Sequence, residues 1–166
     1  LGKSVSGATN SGAITSSNTA AGIVGKLTEG SISGSKNTGR VTASVATTIG
    51  GYTGAFLGGI AGWANGNVNN CYNGGEITTV TSWGHSNIVG GIVGFLVNGK
   101  TVSYCYNSGN VVGSDNIGGI VGINRGTVEN CMFLGSVSGT QRVGGIVGEG
   151  STGNVIRGCV NAGTVK

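Results

Sequence analysis

Residues 118–137 read GGIVGINRGTVENCMFLGSV: five glycines, one arginine, one glutamate and a run of small apolar side chains. The stretch decides the fold because the chain repeats it. Its isoleucine, Ile120, has counterparts at Ile23, Ile60, Ile92 and Ile146, each inside a GG-I-V-G-like segment. A turn follows, then an apolar residue and, three positions later, a small one: Val5/Ala8, Ile32/Ser35, Val68/Cys71, Val102/Cys105, Val128/Cys131 and Ile156/Cys159. Six residues after the small position stands a third apolar residue: Ile14, Val41, Ile77, Val111, Val137 and Val165. There are six units, the first without its GG-I-V-G segment.

The spacing is uneven in one place. The isoleucines lie 37, 32, 28 and 26 residues apart along the chain, and the excess falls between the third apolar residue and the next GG-I-V-G. Insertions are therefore expected at 42–57 and 78–89. Length variation confined to one turn, with core positions untouched, is what a stacked solenoid tolerates. Helical repeats are excluded by the glycine in every unit and the scarcity of strong helix formers. Short β-branched segments between glycine turns read as strands. An antiparallel sandwich would not demand equivalent residues at a fixed place in every unit. The expectation is an all-β chain, a parallel β-helix (β-solenoid) of about six coils with three short strands per coil. At roughly 4.8 Å per coil the rod is about 29 Å long.

Stacking assigns the repeated residues. Ile60, Ile92, Ile120 and Ile146 form one interior ladder, like above like, and the second and third apolar positions form two more. The paired glycines are expected at a sharp corner, either at positive φ or where a side chain would collide. Asn10, Asn37, Asn73, Asn107 and Asn161 share one position, where amides can bond the turn backbone or one another; Phe133 replaces them once. Cys71, Cys105, Cys131 and Cys159 form an interior column. Parallel side chains one coil apart are held wider than the roughly 3.8 Å between Cβ atoms that a disulfide prefers, so free thiols acting as small hydrophobes are expected. Tyr72 neighbours Tyr106, then Met132 and Val160. Arg40 falls beside Glu76 and Arg157 beside Glu129, opposite charges that resist register slips.

Composition narrows the function. The chain has 166 residues, 37 glycines, no proline, 8% charged residues and a formal net charge of +4. It reads as a single β-solenoid repeat domain over 1–166. A start at Leu1 inside the repeat pattern reads as a fragment of a larger protein. The basic residues are scattered singly, which does not suit nucleic acid, and no apolar run approaches a membrane span. The five carboxylates, Glu29, Glu76, Asp115, Glu129 and Glu149, fall at different repeat positions, whereas sugar hydrolysis needs two facing one bond. His85, the one histidine, has no acid close in sequence. The cysteines lack the clustered ligands of a metal centre. The chain is therefore read as no enzyme, with no cofactor and no metal.

Binding rests on aromatic residues. The two insertions emerge on one side of the stack and carry Tyr52, Phe56, Trp83 and His85, while Trp63 and Phe95 follow their GG-I-A/V-G segments. Exposed, these rings would make a platform for a glycan or a host protein; folded down, they would pack on the coil flank. Other partners in view are flanking repeats or domains of the parent protein and end-to-end self-association of the open coil ends.

The pattern GGIVG-x-x-x-x-G-x-V-x-x-C-x-N-x-G-x-V, clearest at 90–111 and 144–165, resembles the glycine-rich GLUG repeat. That repeat occurs in bacterial surface proteins and beside the catalytic region of secreted immunoglobulin A-cleaving metallopeptidases. The resemblance spans essentially the whole chain, with the insertions as departures. It implies a right-handed coil and an extracellular or cell-surface setting. It also implies a structural role as spacer or adhesive scaffold, the alternatives being an adhesin-type binding module or a subunit of an extracellular fibre. It implies no catalytic residues; the H-E-x-x-H of a metallopeptidase has no counterpart here. An exported setting makes reduced thiols unusual, so burial would have to protect them.

Overall fold

The computed structural model describes residues 3–44, 47–49, 51–79 and 87–166, with the side chains of 47–49, 52 and 53 set aside. Every assigned element among them is a β-strand. Three extended stretches make up a full coil, and corners divide two of them. In the third coil these are Phe56–Gly58 with Ala61–Ala64, then Asn67–Asn69 with Tyr72–Asn73, then Ile77–Thr79. Stacking produces five parallel sheets, three of six strands and two of five. The chain is a parallel β-helix.

The register is that of the repeat. Val5, Ile32, Val68, Val102, Val128 and Ile156 pair in succession, and Ile14, Val41, Ile77, Val111, Val137 and Val165 do likewise. At the first ladder Ile60 N–H donates to Ile92 O, Ile92 to Ile120 and Ile120 to Ile146, at 2.9–3.0 Å. Ile60, Ile92 and Ile120 are wholly buried in one core that runs the length of the stack, with Ile146 packed against it. Burying each isoleucine is worth about 1.5–3 kcal/mol. A register slip by one residue would turn every ladder outward.

The paired glycines are needed for space, and none of them takes positive φ. A Cβ on the first glycine, Gly58, Gly90, Gly118 or Gly144, would strike the carbonyl of the residue three positions on. A Cβ on the second, Gly22, Gly59, Gly91 or Gly145, would strike the asparagine of the same coil, and on Gly119 it would strike Phe133. The corner is closed by backbone lying on backbone, with an amide wedged beneath it.

Positive φ occurs at a different corner. The residue just before the cysteine position is left-handed in every coil: Gly7 (62°), Gly34 (56°), Asn70 (51°), Tyr104 (52°), Asn130 (52°) and Gly158 (60°). Glycine and asparagine accept this region readily, which explains five of the six residues. This corner divides the second stretch into two strands.

The insertions are narrower than the spacing predicts. Thr42 and Ala43 pair in Val41–Ala43, and Phe56 and Leu57 pair with Ile88 and Val89, so these residues belong to the coils. In the first insertion the added residues run from 44 to 55; of the second, 80–86 lie outside the described residues. The first contains an antiparallel pair, Thr47–Ile49 with Tyr52–Gly54.

Candidate functional site

The outer flank carries a second apolar cluster, separate from the ladder core. Leu57 and Val89 face the core, so Phe56 and Ile88, their neighbours along the strands, face out. Trp63, Phe95 and Ile123 stand in register on the adjacent sheet. Phe56, Ile88, Trp63, Phe95 and Ile123 pack together. Trp63 and Phe95 stack with centroids 4.2 Å apart and planes within 3°, and Phe56 meets both edge-on. Phe56 is fully buried, Phe95 is 4% exposed and Trp63 9%. Three of the six aromatic-face residues named from sequence are thus brought together and packed down. Trp83, His85 and the side chain of Tyr52 lie outside the described residues.

The tyrosine column is stacked on itself. Tyr72 and Tyr106 stack at 5.3 Å with planes 14° apart. Lys36 Nζ lies 5.4 Å above Tyr72, and Met132 follows Tyr106 in register. The two rings thus cover one face of each other, and Lys36 stands over the outer face of Tyr72.

Each of the five carboxylates is ion-paired. Glu76 meets Arg40 at 3.3 Å and Glu129 meets Arg157 at 2.6 Å, the two pairs expected from the repeat; Glu29 meets Lys3 at 2.5 Å. The remaining two share a cation. Arg142 Nη1 lies 2.9 Å from each Asp115 oxygen, while its Nε reaches Glu149 at 3.4 Å. Glu149 also faces Arg125 at 3.7 Å. Sequence reasoning missed this network because its members occupy unrelated repeat positions.

All four cysteines are free, three of them buried. Each thiol donates to a carbonyl of its own coil, as Cys105 does to Ser103 O at 3.2 Å and Cys131 to Glu129 O at 3.2 Å. The thiols of Cys131 and Cys71, with burial, hold Cys105 well above the ordinary 9.0. Among the described residues, no group of three or more His, Cys, Asp or Glu side chains is arranged to hold a metal.

A cleft of about 410 Å³ opens where the GG-I-V-G strand turns into the next. It comes from alternating turn lengths. Coils three and five turn in two residues, Asn65-Gly66 and Arg125-Gly126, whereas coils four and six use four, Val97-Asn98-Gly99-Lys100 and Ser151-Thr152-Gly153-Asn154. The longer turns are matched. Lys100 N–H donates to Val97 O and Asn154 N–H to Ser151 O, both at 3.2 Å, and the third residue of each is a left-handed glycine, Gly99 (72°) and Gly153 (84°). The short turn of coil five lies between them in the stack. The cleft is lined by Trp63 from coil three, Phe95, Val97 and Asn98 from coil four, Arg125 from coil five, and Ser151 and Thr152 from coil six. The signal for it was in the sequence, as a length difference in a turn outside the repeated positions. No protein-family model matches the chain, and no curated protein and no solved structure matches it significantly.

Proposed function

We propose that this chain is a non-catalytic structural repeat module of a bacterial extracellular or cell-surface protein, serving as a spacer or adhesive scaffold. The observation that supports it is the stack itself. Five parallel sheets continue from coil to coil, the side chains that repeat are the ones that hold coil to coil, and every carboxylate is engaged by a cation. A rod of this kind sets distance. The resemblance to GLUG repeats supports the surface setting, and flanking repeats or domains of a parent protein are the partners such a module would hold.

The test is a height measurement. An epitope is displayed on a bacterial surface through one copy of the chain, and through two copies joined end to end. Two copies raise the epitope by about 29 Å if each stands as a rod of six coils, read by fluorescence interference. An unchanged height sinks the spacer reading. Regular fibres of the isolated chain in electron microscopy would replace it with a fibre subunit.

A further inference from the structure

We infer that the cleft beside Trp63 and Phe95 is a binding site for a neutral oligosaccharide. This inference goes beyond the spacer reading and does not rest on it.

The first argument is shape. The cleft draws its lining from coils three to six, Trp63 through Thr152, so it runs along the stack. A groove of this direction suits a linear chain of sugar rings, and its volume falls in the ~300–1,000 Å³ range of small-ligand sites. It is also preformed. Its two rims are hydrogen-bonded turns, and the coil between them is tied through the Asn124 side chain to the strand that follows the second rim. Gly126 N–H donates to Asn124 Oδ1 at 2.9 Å, and Asn124 Nδ2 reaches Val155 O at 3.4 Å. A rigid site orders little on binding, which favours a weakly held ligand.

The second argument is chemistry. Sugars pair apolar C–H faces with a fringe of hydroxyls, and the cleft offers both kinds of surface. Half-buried Val97 and the exposed edge of Trp63 supply the apolar surface. Asn98 and Thr152, both exposed, with Ser151, supply groups that donate and accept, and the Arg125 guanidinium donates. Charge selects among sugars. Arg125 and Arg142 are balanced by Glu149 and Asp115 in one network, two cations against two anions. A uronic acid or sialylated glycan would have to compete with Glu149 for the one arginine in the lining.

The experiment is titration of the isotopically labelled chain with cellotetraose, mannotetraose and maltotetraose, and with tetragalacturonate as the acidic comparison, followed by amide chemical shifts. At least one neutral tetrasaccharide is expected to bind saturably in the millimolar range, with shifts centred on 97–100, 125–126 and 151–154. Thr152→Trp fills the cleft from an exposed turn position and abolishes those shifts. Asn98→Ala removes one hydrogen-bonding side chain and weakens binding by about tenfold. Unchanged spectra elsewhere in both variants show that the stack is intact. The inference is overturned if no neutral sugar shifts these residues, if only tetragalacturonate does, if the shifts fall on another face, or if Thr152→Trp binds as before.

Discussion

Two columns run up the inside of the stack, two residues apart in every coil, and they hold the coils by different means. In the asparagine column, Asn10 Nδ2 donates to Asn37 Oδ1, Asn37 to Asn73 and Asn73 to Asn107, each at 2.8–2.9 Å. Each of the buried amides also closes its own turn, as Asn73 does with Gly75 O at 2.9 Å and Gly75 N–H at 3.3 Å. In the cysteine column the inter-coil contacts are long, 3.8 Å from Cys105 to Val68 O and 3.7 Å from Cys131 to Val102 O. A thiol is a weak donor and a small hydrophobe. One column specifies; the other fills. Replacements already present in the chain agree. Ala8 and Ser35 stand in the cysteine column without breaking the register. The single change in the asparagine column, Phe133, ends the amide chain, and Asn107 turns instead to Gly119 O at 2.8 Å.

The widest separation is expected from Asn73→Ala. It leaves Gly75 N–H without its acceptor, and Asn37 and Asn107 each lose one partner, all of them buried. At about 1–3 kcal/mol per orphaned group the loss is about 4 kcal/mol, measured by urea unfolding. A loss below about 1 kcal/mol would mean that water replaces the amide, and the column would specify nothing.

Gly91→Ala attacks the same column from outside. The new Cβ would strike Asn107 Nδ2 and the Gly119 carbonyl, and overpacking against backbone costs about 3 kcal/mol. Pairing it with Asn107→Ala separates the two causes. If the amide is the main obstacle, the double variant loses clearly less than the sum of the single ones.

Cys105→Ala should cost only about 1 kcal/mol, the loss of one small buried group, and Cys105→Ser about the same, because Ser35 already donates to Ser33 O at 3.1 Å in the equivalent place. The thiols should also differ among themselves. Cys105, with a thiol on either side, is held well above 9.0, so near that pH it carries less thiolate than an ordinary cysteine. Alkylation by iodoacetamide followed by peptide mass analysis should therefore label Cys105 more slowly than an unfolded control. Equal rates would show that the column is open to solvent and ionises normally.

Much of this was legible in the sequence because stacking converts a repeat into contacts. The spacing of Val68, Cys71, Asn73 and Ile77 fixes the register, and with it the ladders, the amide chain and the Arg40–Glu76 and Arg157–Glu129 pairs. What it does not fix is backbone direction within a unit. Three predicted stretches hold five strands because corners fall at Gly59-Ile60 and at Asn70, and spacing counts residues without seeing where they bend. Phe56 and Leu57 read as part of an insertion because the repeated glycines follow them, yet they pair with Ile88 and Val89. The cleft escaped for a related reason. It is made by what does not repeat, two long turns around a short one, and a reading built on equivalence passes over differences. Aromatic residues point to the flank, but packing on one another buries Phe56 within the outer cluster and leaves only edges of Trp63 and Phe95 at the cleft.

The smallest expected effect is a gain, and it bears on why the cysteine column is regular at all. Tyr104 occupies the left-handed corner at φ 52° with 62% of its surface exposed. Its equivalents are glycine in three coils and asparagine in two. A bulky residue at this φ is strained, and the exposed ring recovers little by burial. Tyr104→Asn should stabilise the chain by about 0.5–1 kcal/mol. Tyr104→Gly should gain less, because glycine loses more freedom on folding. The order Asn, Gly, Tyr in urea midpoint would show that backbone conformation is the controlling quantity at this corner. If instead both variants are less stable, the tyrosine ring is holding its neighbours and the corner tolerates any residue. The first outcome carries a consequence for the two columns. The cysteines would be aligned by a corner one residue earlier, shared by all six coils, and their own chemistry would be incidental to the alignment. The asparagines would then be the only side chains of the pair that choose their register themselves.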